Sequence, residues 1–338
     1  MHKTNLAGLT RNALRSLLVD LGEKPYRAGQ IWSWLYQKGV TDFDDMTNLS
    51  KSFRQRLRDH AVIESMDLKT RTESVSGTRK YLWMLDDGQA IESVFIPEGR
   101  RRTICISSQA GCPLACAFCA TGRLGLIRNL SVFEIVDQVL AVRRQEQCQP
   151  TNMVVMGMGE PFLNYDHVMQ AMAIINDHEG IAIGHRKITI STAGIVPRIR
   201  QYTEEGHPYK LAVSLNATTD SLRSRLMPVN RTYPLETLLD AVRDYTRRSK
   251  KRVTFEYVLL AGVNDSDGDA RRLMKLLHDI PCKVNLIAYN KTSGRFQGPD
   301  AERISAFAGK IRPLSAPVTL RLSKGDDING ACGQLAGR

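Results

Sequence analysis

The sequence predicts an α/β protein, a partial (β/α)6 barrel preceded by a small N-terminal helical accessory domain. Three observations carry this reading. The first sixty residues repeat apolar residues at helical spacing. Beyond residue 100 the pattern changes to strand, loop, helix and keeps that rhythm. About six such units suit a full or partial barrel of parallel strands better than a doubly wound sheet.

The elements follow in order. Leu14, Leu17, Leu18 and Leu21 mark one face of a first helix. Pro25 opens a second, which carries Ile31, Trp34 and Leu35 and stops at Gly39. Leu49, Phe53 and Leu57 mark a third, so residues 1–75 are expected to form the helical domain. Lys80–Leu85 and Gln89–Ile96 flank Asp86-Asp87-Gly88, a hairpin signal, which makes residues 76–100 a β-hairpin extension. Residues 101–338 are then the barrel, ending in a cysteine-bearing loop. Its expected strands are Thr103–Ser107, Met153–Met156, Lys187–Ser191, Lys210–Leu215, Val253–Leu259, Lys283–Ile287 and Val318–Leu322. Ser131–Arg144, Leu235–Arg248 and Asp267–His278 are amphipathic helices between them. Barrel sites gather at strand C-terminal ends.

Composition bounds the function. A chain of 338 residues holds one large domain and a small one. Its 42% hydrophobic and 24% charged residues exclude collagen-like, coiled-coil and disordered classes. The net charge of +12 points to a polyanionic partner, most often nucleic acid, or to plain solubility charge. No apolar run approaches the ~18–20 residues that span a bilayer. Met1-His2-Lys3-Thr4-Asn5-Leu6 lacks the apolar core of a signal peptide. A cytoplasmic protein with no membrane partner is expected. In that reducing compartment, clustered cysteines point to metal or catalysis rather than to a disulfide framework.

The strongest local signal is Cys112-Pro113-Leu114-Ala115-Cys116-Ala117-Phe118-Cys119. Three thiolates directly after a strand can wrap one metal centre. A structural zinc site wants four closed ligands, and no fourth Cys or His lies within the next ~25 residues. A [4Fe–4S] cluster normally takes four cysteines, so three would leave one iron open for a small ligand. The spacing favours the iron–sulfur cluster. The rival from another class is a zinc-stabilised RNA-binding module, which metal content would distinguish.

Other residues carry weaker signals. Gly157-Met158-Gly159-Glu160-Pro161 follows a strand, but Phe162 breaks a dinucleotide-binding fingerprint. Ser191, Ser214-Leu215-Asn216 and Asn290 end strands, where they bind ligands or cap turns. Cys332 is a loop thiol and Cys105 a strand residue, each readable as idle or buried. Glu92 shares a strand face with Val94 and Ile96. There it is either a base with raised proton affinity or an edge-strand surface residue. Cys148 and Cys282 match no motif. Arg100-Arg101-Arg102 and the set Arg243, Arg247, Arg248, Lys250, Lys251 and Arg252 would neutralise phosphates or be a solvated face.

Cys-x3-Cys-x2-Cys after the first barrel strand, with Phe118 before the last cysteine, resembles the radical SAM superfamily. Further motifs narrow the likeness: Arg102 to Cys112, Met156 to Pro161, Ser191-Thr192-Ala193-Gly194, Leu226-Met227-Pro228-Val229-Asn230 and Gly325 to Leu335. Together they resemble the adenine methyltransferases of 23S rRNA, the RlmN/Cfr family, from the N-terminal helices to the last residues. The resemblance implies that Cys112, Cys116 and Cys119 hold a [4Fe–4S] cluster. It implies that Gly159, Glu160, Ser191, Ser214, Leu215, Asn216 and Asn290 contact S-adenosyl-L-methionine. Position 216 departs from the family in carrying Asn where His is as frequent.

The same resemblance implies that Cys332 is methylated by one S-adenosylmethionine and delivers a carbon radical to adenine after a second is cleaved. Cys105 would release the product through a transient disulfide with Cys332, and Glu92 would accept the ring proton. The implied reaction is methylation of carbon 2 of an adenosine in 23S rRNA, and of an adenosine next to the anticodon in tRNA. The alternative within the family is a Cfr-type enzyme acting at carbon 8. An electron donor protein and a monomeric state are expected.

Overall fold

The computed structural model describes residues 3–292, 294–314, 316–321 and 323–337. The expected strand end at Leu322 and the start of the chain at Met1-His2 lie outside the described residues.

The N-terminal unit joins a two-residue strand β1 (Thr4–Asn5), helices α1 (Arg11–Asp20), α2 (Arg27–Trp32) and α3 (Lys51–His60), and strand β2 (Ala61–Val62), which pairs parallel with β1. Thr10 and Ser50 cap α1 and α3, their hydroxyls accepting from the N–H groups of Ala13 and Phe53. Leu14, Leu18, Ile31, Leu35, Phe53 and Leu57 are buried, as the helical periodicity requires. α2 continues into a wider-turned segment, Ser33–Lys38, which Gly39 ends in the left-handed conformation. Arg11 ties the unit to the barrel, donating to both carboxylate oxygens of Asp177 at 2.6 and 2.7 Å.

Next come β3 (Asp67–Glu73), β4 (Arg79–Met84), β5 (Ala90–Glu98) and β6 (Arg101–Ile106), each antiparallel to the one before. β7 (Gln109–Cys112) and β8 (Gly125–Asn129) form a separate hairpin enclosing α4 (Ala120–Arg123). The parallel strands after β6 are β9 (Asn152–Val155), β10 (Ile188–Thr192), β11 (Lys210–Ser214), β12 (Val253–Leu259), β13 (Cys282–Ala288) and β14 (Val318–Arg321). Crossovers are made by α5 (Val132–Glu146), α6 (Tyr165–Asn176), α7 (Val196–Glu204), α8 (Asp220–Leu226), α9 (Leu235–Ser249), α10 (Asp267–Leu277) and α11 (Ala301–Ile311). Apart from the β1–β2 and β7–β8 pairs, the described strands form one open ten-stranded sheet, β14-β13-β12-β11-β10-β9-β6-β5-β4-β3.

The parallel part is the expected partial barrel, and its seven strands, β6 and β9 to β14, fall on the seven expected segments. Two features differ from expectation. Residues 67–73, within the segment read as helical, form the edge strand β3. The β7–β8 hairpin is an addition to the expected strands: β7 is almost wholly buried and β8 almost wholly exposed, so neither shows the alternation that marks a strand in sequence.

Period-two alternation divides each parallel strand between two environments. On β10, Ile188 and Ile190 are fully buried, whereas Thr189 and Ser191 line internal cavities. On β12, Val253, Phe255 and Tyr257 are fully buried, whereas Thr254, Glu256 and Val258 line the cavities. The polar set thus faces the inside of the barrel. Among the described residues no helix is long and apolar enough to cross a membrane.

Candidate active site

A cavity opens where β6 and its parallel neighbours end. Cys112, Cys116 and Cys119 form part of its wall. The loop carrying them is held by Cys119 N–H donating to Cys116 O at 3.1 Å and Ala117 N–H donating to Leu226 O at 2.9 Å. Burial pushes the Cys112 thiol up to about 12 and Cys116 well above the ordinary range, and the neighbouring thiols add to both. Among the described residues no group of three His, Cys, Asp or Glu side chains is gathered to hold a single metal ion. Three cysteines on one loop suit a cluster, whose irons take one thiolate each, better than a zinc site closed by four ligands.

The same cavity is lined by Gly159, Glu160, Ser191, Ser214, Asn216 and Asn290, all predicted site residues. Gly159 has φ +99°, and a Cβ there would stand 2.6 Å from Cβ of Gln109, so only glycine fits this turn. Glu160 is buried, and its carboxylate accepts from Ala193 N–H at 2.7 Å and Phe162 N–H at 3.0 Å. Burial outweighs those donors and pushes its carboxyl up to about 7. Asn216 is left-handed at φ 57°, and its Oδ1 accepts from Val258 N–H at 2.9 Å. Leu215 differs from its neighbours. It is fully buried in the core, outside the cavity lining, and its N–H and C=O are taken by Glu256 and Arg223.

Cys332 also lines this cavity. It lines a second one of about 510 Å³ deeper in the barrel, together with Cys105, Arg321, Thr189, Thr254 and Thr319. The Cys332 loop is therefore a partition between the two. Three hydrogen bonds from two places hold it: from the end of β13, Asn290 Nδ2 donates to Cys332 O at 3.0 Å, and from α4, Ala120 N–H donates to Gly333 O at 2.7 Å and Thr121 Oγ1 to Leu335 O at 2.6 Å. Both thiols are free. Burial pushes Cys105 up to about 12 and raises Cys332, with Arg321 opposing in each case.

Glu92 is fully buried and reaches neither cavity wall. It is not an edge-strand surface residue, since β5 lies between β4 and β6. Nor are its surroundings simply apolar. Lys80 Nζ stands 2.8 Å from Oε1, an ion-pair contact not aligned as a hydrogen bond. Oε2 accepts from the N–H groups of Ala336 and Gly337 at 2.7 and 2.9 Å.

Two residues of the site escaped the sequence reading. Glu256 lies in the first cavity, with Oε2 accepting from Ser191 Oγ at 3.3 Å and Oε1 buried without a hydrogen-bond partner among the described residues. A charged residue in phase with Thr254 and Val258 on a buried strand was the available signal. Arg223 is fully buried and donates to the carbonyls of Ala193, Ser214 and Leu215, three strand-end residues of the site. Of the basic clusters none lines the first cavity, and only Arg101 lines the second. Arg100-Arg101-Arg102 and Lys250-Lys251-Arg252 adjoin the N-terminal ends of β6 and β12. Arg243 pairs with Asp240 and Asp279, and Arg247 and Arg248 with Asp244, which makes the α9 set chiefly an ion-paired helix face.

The donor set fits an iron–sulfur cluster with a small polar ligand beside it: three half-buried free thiols lining the cavity, a glycine cradle and the unsatisfied Glu256 Oε1. Residues 106–274 match the radical SAM superfamily, and residues 4–63 match the ribosomal RNA large subunit methyltransferase N-terminal domain. Barrel, cysteine loop and match together define a radical SAM enzyme, a superfamily that uses S-adenosylmethionine and a [4Fe–4S] cluster. The chain is 47% identical over 350 residues to the dual-specificity RNA methyltransferase RlmN of Jannaschia sp. (strain CCS1), covering 98% of this chain and 89% of that one. It is 46% identical over 337 residues to the RlmN of Pelobacter propionicus, covering 99% and 96%. A radical SAM methyltransferase of Sphaerobacter thermophilus has the same structure, with a TM-score of 0.95, 43% identity and coverage of 99% and 100%. The chain belongs to the RlmN family of RNA methyltransferases.

Proposed function

We propose that this enzyme methylates carbon 2 of an adenosine in 23S rRNA, and of an adenosine next to the anticodon in tRNA, with Cys332 as the methyl carrier. The observation that carries the reading is the position of Cys332 in the wall between two cavities, one with the cluster cysteines and one with Cys105. A carrier must meet the methyl donor on one side and the base, with its releasing thiol, on the other.

Cys112, Cys116 and Cys119 would hold the [4Fe–4S] cluster, which when bound supplies the electron that cleaves S-adenosylmethionine. Gly159, Glu160, Ser191, Ser214, Asn216 and Asn290 would orient that molecule, and Leu215 would contribute only as support. The Cys332 sulfur takes a methyl group, its new S–C bond forming as the sulfonium S–C bond breaks. An amidine ring carbon is electron-poor, so it resists electrophilic methyl transfer and accepts a carbon radical instead. Glu92 would then accept the ring proton, and Cys105 would take the Cys332 sulfur into a disulfide as the methylated base leaves. The target adenosine has to be unstacked to reach the barrel interior. Relatives at 46–47% identity carry the RlmN name, which favours carbon 2 over the Cfr-type carbon 8.

The test is anaerobic. The reconstituted enzyme is given reductant, S-adenosylmethionine and a 23S rRNA fragment or a tRNA, and the digested nucleosides are identified by mass and retention. The expected product is 2-methyladenosine. A product of 8-methyladenosine would establish the Cfr-type reaction, and zinc without sulfide would return the cysteine loop to a structural role.

A further inference from the structure

The tail that follows the carrier cysteine is bound to the proposed base. Glu92 Oε2 accepts from Ala336 and Gly337 N–H, and Lys80 Nζ lies against Oε1. The tail is shaped for this contact. Gly337 is left-handed at φ +67°, and a Cβ there would stand 2.8 Å from the carbonyl oxygen of Ala90, on the strand that carries Glu92. Upstream, Leu335 is buried and Gln334 Nε2 donates to Lys291 O at 3.0 Å, so the segment between Cys332 and the contact is itself fixed.

This arrangement conflicts with proton acceptance. Glu92 has no exposed surface, so no adenine carbon can come within reach while the tail is seated. A C–H group is also a poor competitor for an oxygen already engaged by two N–H donors. Lys80 is different: it approaches along β4, the strand paired beside Glu92, where Leu82 and Glu92 are in register. Lifting the tail leaves Lys80 where it is.

Resting on the proposed function, we propose that Ala336 and Gly337 form a latch that covers Glu92 in the free enzyme and lifts when the target adenosine enters, and that Lys80 is the positioning residue that keeps the carboxylate aimed once the latch is open. The step served is one proton transfer. The ring C–H bond breaks, its electron pair stays in the ring, and the proton goes to a Glu92 oxygen.

The first arm of the test is amide hydrogen exchange over residues 331–337 in the cluster-loaded enzyme. Protection at Ala336 and Gly337 should be present in the free enzyme, weaken about tenfold in Glu92→Gln, whose amide oxygen is a poorer acceptor, and vanish when an RNA hairpin carrying the target adenosine binds. Protection unchanged by Glu92→Gln, or retained in the RNA complex, overturns the latch. The second arm compares Lys80→Met with Lys80→Arg by intact mass. Lys80→Met should still methylate Cys332 but accumulate the covalent protein–RNA adduct, and Lys80→Arg should restore its release. An adduct level like that of the unsubstituted enzyme, or loss of Cys332 methylation in both variants, overturns the positioning role. A latch that opens on RNA with no methylated adenosine formed would instead fail the proposed reaction and leave the latch standing.

Discussion

Asn290 donates its side-chain amide to the main-chain carbonyl of Cys332 at 3.0 Å. The end of β13 is thereby fastened to the thiol that the proposed reaction needs in two places. The residue was expected to contact S-adenosylmethionine, and it lines that cavity. In the ligand-free protein its donor is spent on the loop. Asn290→Ala should therefore slow methylation of Cys332 by about tenfold, the worth of one buried hydrogen bond of ~1.4 kcal/mol, without lowering iron content. Asn290→Asp should not rescue it, because a carboxylate cannot donate. Single-turnover mass analysis of Cys332 checks both.

Cys105 and Cys332 share a cavity but only Cys332 borders the cluster cysteines. The two thiols should then fail differently. Cys105→Ala should let the carbon bond form and trap a covalent protein–RNA adduct near one per active enzyme. Cys332→Ala has no carrier and should trap none. Denaturing gels with labelled RNA read the difference, and equal behaviour of the two variants would refute the division of labour.

Glu160 gives a pH dependence of stability. Its carboxyl is pushed from an ordinary 4.5 up to about 7 by burial in the cofactor-free protein. A folded value above the unfolded one means that the folded state holds the proton more tightly. The contribution is thus fully present below about 4.5 and is lost as the pH rises through about 7. Cofactor-free protein should lose stability across that window, by an amount on the order of 2 kcal/mol attributable to this group. Glu160→Gln stays neutral and should flatten the fall. Chemical denaturation of both proteins at pH 5 and pH 8 measures the contrast.

Much of the fold was legible because periodicity states which face of an element is apolar. Val253–Leu259 was bounded correctly, and the strand ends delivered Ser191, Ser214 and Asn290 to one cavity. The cysteine loop was legible because its spacing is local. What periodicity does not encode is the partner across the fold. Glu92 finds Ala336 and Gly337 some 244 and 245 residues away, a pairing no window could contain. The basic run on α9 reads in sequence either as a phosphate site or as a solvated face, and the structure favours the face: Asp240 and Asp244 pair with it along the same helix, and Asp279, beyond α10, is brought to Arg243 by the fold. Leu215 was carried along with its polar neighbours, although alternation alone sends it to the opposite face from Ser214.

Arg223 provides the sharpest test of how the site is braced. It sits on α8, fully buried, with Nε on Leu215 O at 3.0 Å, Nη2 on Ala193 O at 2.7 Å and on Ser214 O at 3.0 Å, and Nη1 on Asn230 Oδ1 at 3.0 Å. Burial lowers the guanidinium to about 10, which still leaves it charged at neutral pH. One side chain therefore ties the ends of β10 and β11 together, while the end of its own helix receives the cysteine loop through Ala117. Arg223→Met matches its length but removes the Arg223 donors from three buried carbonyls, of which Leu215 O keeps Ala217 N–H at 2.8 Å, and this should cost about 3 kcal/mol. Arg223→Lys should recover little, because a single ammonium cannot span a planar fork of acceptors. A lower denaturation midpoint at unchanged slope would show the loss of stability. Weaker S-adenosylmethionine binding in the surviving folded fraction would show that the brace also sets the geometry of the site, whereas unchanged binding would confine Arg223 to the fold.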